Sequence, residues 1–345
     1  MLINYIFLKS EDSRLTKILS VAVFFPEKIP TKQLIKKIPE IRDIVNTEAI
    51  QSICIASNKK NVTDMGTFAV RKALYNGGIT SKNLNQLVFI SEGISDYLYM
   101  DTSKTIIRNL NEEADGPIHA NDYFRGQNGT LGFLEMISNQ VESNPDIKYS
   151  VICSSLIWKY HSNHRVIGNT ILGDGAGAIL LSKDSTDNRN EILSFSSISL
   201  SQYNMLCGFK YGGTEYDITK EVIEKDLFKL DLLDKKQFLE FEKIVVKSCI
   251  EVINDVLEKA QVPITDIDYL GISGTETDKI KKIIDLFSEK TKIINSLKTK
   301  GYLGSLGSID VLDSFINDDS IPYGSIMLVV SFGIDPNVEA LIIRK

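Results

Sequence analysis

One arrangement of helix, loop and buried strand occurs twice in this sequence, and it limits the possible folds more than any single motif does. Residues 63–78 carry Met65, Phe68, Ala69, Ala73 and Leu74 at helical spacing, then pass through Ile79-Thr80 into the apolar run Leu87-Val88-Phe89-Ile90-Ser91. Residues 241–261 carry Val245, Val246, Cys249, Val252, Ile253 and Leu257 in the same way, then pass through Ile264-Thr265 into Tyr269-Leu270-Gly271-Ile272-Ser273. The ends of the two segments match as well. Tyr149-Ser150-Val151-Ile152-Cys153-Ser154 corresponds to Ser325-Ile326-Met327-Leu328-Val329-Val330-Ser331, and Ala178-Ile179-Leu180-Leu181-Ser182-Lys183 to Ala340-Leu341-Ile342-Ile343-Arg344-Lys345. Helical periods alternating with short apolar runs indicate an α/β sheet protein. Strands that are apolar throughout indicate helices on both faces of the sheet. Buried strands resemble one another by chance, but a shared order of helix, loop, strand and final strand pair is better explained by duplication.

The two copies divide the chain into halves, residues 1–185 and 186–345, at the polar, turn-rich stretch 183–191 (KDSTDNRNE). With 345 residues, 43% of them hydrophobic, the chain can bury one large core or two fused ones. Residues 227–243, rich in Leu, Asp and Lys, predict an amphipathic helix whose charges serve solvation.

Charge and cysteine usage narrow the function classes. A net charge of −6 sets an acidic surface against any phosphate backbone, so nucleic acid is not an expected partner. The four cysteines (Cys54, Cys153, Cys207 and Cys249) are scattered and form no CxxC pair. Cys153 and Cys249 fall in apolar patterns and read as small core residues of a reducing compartment. The opening MLINYIFLKSEDSR has no basic region before its apolar stretch and no small-residue cleavage site after it, unlike a signal peptide. No run approaches the roughly 18 apolar residues of a spanning helix. A cytoplasmic protein without membrane association is expected.

Residues 171–181 read ILGDGAGAILL. Gly173, Gly175 and Gly177 permit a tight turn and close backbone approach, and the small Ala176 and Ala178 let a strand pack near its partner. No helix follows, which argues against a dinucleotide-binding turn. GDGAGA before a hydrophobic strand resembles the end of the first half in the β-ketoacyl-acyl-carrier-protein synthase III branch of the thiolase superfamily. The resemblance continues in order along the chain. Residues 53–93 are similar to the family's early helix and strand, and 120–136 to the loop and helix that carry its nucleophile. Residues 300–310 (KGYLGSLGSID) are similar to its glycine-rich second-half loop, and 329–344 to its C-terminal strand pair, with Ser331-Phe332-Gly333 in place of a more glycine-rich turn. The resemblance implies an α/β, thiolase-like five-layer α/β/α/β/α fold built from two duplicated halves, with helices 63–76 and 243–260 equivalent under pseudo-two-fold symmetry.

Members of that family hold a cysteine thiolate at a helix N-terminus, where the helix dipole favours its charge. A histidine and an asparagine assist malonyl decarboxylation and stabilise the developing enolate. Carried onto this chain by the resemblance, all three positions are changed. Gln127-Asn128-Gly129 stands where Cys-x-Gly precedes an apolar helix, so Gln127 takes the nucleophile position and can form no thioester. Ser273 or Gly274, according to one residue of slippage, takes the histidine position, and neither can serve as a general acid at neutral pH. Tyr302, after Gly301, takes the asparagine position. Tyr302 and Glu276 are the polar candidates for any replacement chemistry. His161 and His164, in KYHSNHR, have His-x-x-His spacing without a carboxylate or cysteine neighbour, so no metal site is expected. His119 lies near the altered nucleophile loop.

In modular polyketide synthases a cysteine-to-glutamine change leaves a domain that decarboxylates malonyl groups, the amide standing in for an acylated cysteine. Those domains keep their other polar catalytic residues. Gln127 can also cap or fill a site no longer used for condensation, satisfying donors at the start of the following helix. Three functions stay open: a non-condensing partner subunit of an active ketosynthase, in fatty-acid, polyketide-type or specialised metabolism; an acyltransferase or malonyl decarboxylase with a replaced site; and a binding protein for an acyl group or acyl carrier protein. The first is the one expected. The resemblance implies no cofactor and an acyl-CoA or acyl-carrier-protein thioester as the possible substrate. It also implies a dimer, homomeric or with a related ketosynthase, formed through the strand at residues 117–121.

Overall fold

In the computed structural model of the chain, the described residues are 16–42, 46–110, 118–124, 128–158, 165–168, 170–183 and 190–345. Ten strands form one hydrogen-bonded set. In the first half these are β1 (Lys17–Phe24), β2 (Gln86–Ser91), β3 (His119–Phe124), β4 (Tyr149–Leu156) and β5 (Gly175–Ser182). In the second half they are β6 (Glu191–Ser199), β7 (Tyr269–Ser273), β8 (Lys292–Ile294), β9 (Ile326–Phe332) and β10 (Asn337–Arg344). The spatial order is β3-β2-β4-β5-β1 followed by β6-β10-β9-β7-β8. Read outward from the junction, the two sets have the same order and the same directions. β2 is parallel to β3 and β4, as β7 is to β8 and β9. β5 is antiparallel to β4 and β1, as β10 is to β9 and β6. The sets join at a single register pair, Lys17 with Glu191. Most of the polar junction read from the sequence, residues 184–189, lies outside the described residues.

The helices fill three layers. α1 (Val62–Asn76) covers the outer face of the first set, and α2 (Thr102–Leu110) packs beside it. α4 (Lys235–Ala260) covers the outer face of the second set, with α5 (Thr277–Ile284) beside it. Between the two sets lie α3 (Thr130–Ser143) and α6 (Ser305–Ile316), which touch each other and strands of both halves. α6 is the more enclosed of the two, since α3 leaves Met136 exposed. In α6 nine residues are buried, Ser305 through Leu312 without a break and then Phe315.

The predicted helix over 227–243 does not form as a unit. Leu230–Leu232 instead pairs antiparallel with Cys207–Phe209. The helix starts only at Lys235, where the Asp234 carboxylate accepts the Lys236 and Gln237 N–H groups at 2.8 and 3.0 Å. An aspartate able to cap and a strand partner for the preceding leucines together override the amphipathic pattern. No described helix is long and apolar enough to cross a membrane.

The GDGAGA segment ties the first half to a loop of the second. β5 begins at Gly175, so the glycines lead into a strand and not a helix. Asp174 is fully buried and accepts four hydrogen bonds. Arg165 binds it with both Nη atoms at 2.6 and 2.9 Å, the Trp158 N–H at 2.9 Å and the Ala56 N–H at 2.8 Å. Just before it, Tyr302 N–H donates to Ile171 O and Gly173 N–H donates to Tyr302 O, each at 2.9 Å. A Cβ on Gly173 would fall 2.1 Å from Lys300 O, so only glycine allows this approach. The first half thereby fixes where the second-half loop 300–304 lies.

Breaking a buried ion pair by removing one partner leaves an uncompensated charge. Asp174→Asn should therefore lower the unfolding free energy by about 3–5 kcal/mol, read from chemical denaturation at constant m-value. A loss within experimental error would show that Arg165 is neutralised by another route.

Candidate active site

The middle helices begin close together, and neither caps itself. The N-cap positions of α3 and α6 are Gly129 and Gly304, and neither makes a side-chain cap bond. The first turn of each helix still needs acceptors for its free N–H groups. Each receives a carboxylate from the other half of the chain. Glu339, on β10, accepts the Leu131 N–H of α3 at 3.0 Å. Glu92, just past the end of β2, accepts the Ser305 N–H of α6 through Oε1. Gly304 has φ +55°, and a Cβ there would lie 2.0 Å from Glu92 Oε2, so glycine makes room for this carboxyl. Ser305 joins the two helices further: its Oγ meets Ser154 Oγ at 2.6 Å, and its carbonyl accepts Thr130 Oγ1 at 2.6 Å.

A second polar chain lies alongside. The Tyr302 hydroxyl donates to Asn128 Oδ1 at 3.1 Å, and Ser331 Oγ donates to the same oxygen at 3.3 Å. Asn128 Nδ2 donates to Asp335 Oδ1 at 3.0 Å, and Asn337 Nδ2 holds the other Asp335 oxygen at 2.8 Å. Gly333 packs directly on this chain, since a Cβ there would fall 1.9 Å from the Tyr302 hydroxyl oxygen.

Burial governs the titration of these groups. It pushes the Glu92 carboxyl up to about 8; the Ser305 hydrogen bonds oppose this and the Asp335 charge adds to it. It raises the Tyr302 phenol well above its ordinary value, helped by Asp335, Glu92 and Cys207 and opposed by the Asn128 hydrogen bond. Burial also raises every cysteine thiol: Cys54 to about 11, Cys207 to about 12, and Cys153 and Cys249 further still. The described residues include no group of three or more His, Cys, Asp or Glu side chains able to hold a metal.

Comparison with known proteins matches the chain over nearly its whole length. The β-ketoacyl-[acyl-carrier-protein] synthase III of Pectobacterium atrosepticum is 23% identical over 333 residues, covering 92% of this chain and 96% of that protein. The corresponding protein of Synechocystis sp. is 20% identical over 336 residues, covering 95% and 97%. Among solved structures, 3-oxoacyl-[acyl-carrier-protein] synthase III of Aquifex aeolicus superposes with a TM-score of 0.75 at 19% identity, covering 96% of this chain and all of that one. The chain has the synthase III fold. Xanthomonas campestris OleA, crystallised as a C143S variant with lauric acid and lauroyl-CoA, superposes with a TM-score of 0.77 at 15% identity, covering 96% of this chain and 100% of that one. No family model matches the chain.

Within the synthase III fold, the residues singled out from the sequence fall in different places. Tyr302 is buried at the centre, bonded to Asn128. Gln127 lies outside the described residues, as do His161 and His164. Ser273 ends β7 with its hydroxyl against Gly307 of α6, while a Cβ on Gly274 would meet the Phe332 ring at 2.4 Å. Position 274 thus has no room for a larger side chain while Phe332 stays in place. Glu276 sits apart from the Tyr302 chain. It pairs with Lys279 at 3.2 Å, and Lys279 also bonds Glu242. His119 is exposed at the start of β3, in register with Gln86.

Glu92, Asn128, Asp335 and Glu339 were not among the residues singled out from the sequence. Two of them carry a readable signal. Glu339 is a charge inside an otherwise apolar strand, and Glu92 follows the buried run Leu87–Ser91. A carboxylate in such a setting needs a buried partner.

The sign of the Glu92 effect is fixed by its raised value. The folded state holds a proton that the unfolded state releases above its ordinary value of 4.5, so stability falls as pH rises from there to about 8. The slope is at most about 1.4 kcal/mol per pH unit for one proton. Glu92→Gln keeps an acceptor for Ser305 and should flatten that slope in denaturation curves taken between pH 5 and 8. An unchanged slope would show that another group carries the proton.

Proposed function

We propose that the chain is a non-condensing protein of the synthase III kind, which takes an acyl thioester without forming an acyl-enzyme and works as the partner subunit of a related ketosynthase. The observation that carries this reading is the buried chain from Tyr302 through Asn128 to Asp335. A tyrosine hydroxyl committed to an amide, with Gly333 packed against it, stands where the resemblance places an enolate-stabilising asparagine. A thiolate is also lacking. With thiol values of about 11 or more, the cysteines are almost wholly protonated at neutral pH, and nucleophilic attack needs the ionised sulfur. The acyl ligand class is suggested by relatives whose names specify acyl-carrier-protein substrates and by OleA, crystallised with lauric acid and lauroyl-CoA.

Intact-mass spectrometry after incubation with acyl-CoA thioesters should show the unmodified chain. A mass increase by one acyl group, located near residues 127–128 or at Tyr302, would overturn the non-condensing reading.

The partner role draws support from β3. Among the described residues this strand is hydrogen-bonded to β2 on one side only, and it ends in the exposed Phe124. A six-residue strand at the edge of the described sheet invites a second strand. Light scattering at micromolar concentration should give the mass of a dimer, either of this chain or, on co-expression, with an intact ketosynthase. A monomer under both conditions would remove the partner role.

A further inference from the structure

The cap on α6 uses only half of its carboxylate. Glu92 Oε1 accepts the Ser305 N–H, while Oε2 has no hydrogen-bond partner among the described residues, although Glu92 is only 4% exposed. Capping alone requires a single oxygen, which an aspartate or serine at the N-cap position of α6 itself would supply. The chain instead has glycine at 304 and brings in a glutamate from just past the end of β2, leaving a buried oxygen with no partner among the described residues. A buried oxygen without a partner is unfavourable to folding, and a catalytic role or a bound water would account for it.

Glu92 also lines a crevice of about 10 Å³ with Ser91, Ser95, Ser155 and Trp158. That volume is room for about one water molecule. The three serine hydroxyls already have partners: Ser91 donates to Gly93 O, Ser95 meets Thr102 Oγ1 and Ser155 donates to Val62 O. The carboxyl is the ionisable group of that lining.

We infer that Glu92 is the general base of a thioester hydrolase activity that proceeds by direct attack of water, with no acyl-enzyme. The inference rests on the reading that the centre takes an acyl thioester. In the step, the ionised carboxylate removes a proton from a water in the crevice as the water oxygen bonds to the thioester carbonyl carbon. The tetrahedral intermediate collapses, the C–S bond breaks and the sulfur leaves with the bonding pair. The thiolate then takes up the proton, giving a carboxylic acid and a free thiol and returning Glu92 to its ionised form. The groups acting on Glu92 are Ser305 of α6, which favours the charged form, and Asp335 of the β9–β10 turn, which opposes it; Glu92 and Tyr302 also repel when both are charged. A base whose value lies near the working pH is the most effective kind.

The experiment uses the full chain and a panel of acetyl-, octanoyl- and lauroyl-CoA, with released CoA measured by chromatography. Binding is measured separately by calorimetry with a thioether analogue of each. The expected result is CoA release that rises with pH through about 8, reduced about 100-fold or more in E92Q, with analogue affinity kept within about threefold. Release by E92Q at the wild-type rate overturns the inference, as does a wild-type rate that is flat with pH across that range. The pH profile decides the matter even where E92Q does not fold. Tight analogue binding without CoA release overturns the base role but leaves the acyl-binding reading standing. Absence of both overturns the two together.

Discussion

The structure depends on how two buried helices begin. α3 and α6 lie between sheets, so their first-turn N–H groups have no water to turn to, and glycine occupies both N-cap positions. The acceptors come across the duplication. A carboxylate of the first half closes the second half's helix, and a carboxylate of the second half closes the first half's helix. Each central helix therefore draws an acceptor for its first turn from the other half, and the exchange ties the two halves together. The same exchange places two acidic groups at the positive ends of two helix dipoles.

The loop from 300 to 304 shows how this reaches the centre. Its position is set by main-chain bonds to Ile171 and Gly173, whose own place is set by Asp174 and the four donors around it. Tyr302 is thus delivered to Asn128 by backbone geometry belonging to the other half. The hydroxyl has little freedom, because Gly333 lies against it on one side and Asn128 holds it on the other. Rigid support of this kind suits a site that positions a ligand. It suits less well one whose tyrosine has to ionise.

Much of the architecture was legible because it rests on periodicity. Apolar runs such as Leu87–Ser91 and Tyr269–Ser273 are strands in the structure, and their repeated order is the repeated topology of the sheet. The centre was less legible, because its bonds join residues far apart in sequence. Asn128 and Asp335 are 207 positions apart, and Ser305 and Glu92 213 apart. Spacing along the chain says nothing about such pairs. The surroundings of Glu276 were hidden for a related reason: its ion pair with Lys279, one helical turn on, is shared with the distant Glu242. The stretch 227–243 misled because amphipathic leucines suit a strand over a hairpin as well as a helix.

The two sets of strands are alike in order but not at their outer ends. The first ends in β3, six residues long, while the second ends in β8, only three. A duplicated sheet with two equal margins could add copies at both sides and grow without limit. Here the two margins differ, so an added strand would find twice the length of edge at β3 that it finds at β8. A strand order that is symmetric thus carries two ends of unequal pairing capacity, and the molecule has a direction that its topology alone would not give it.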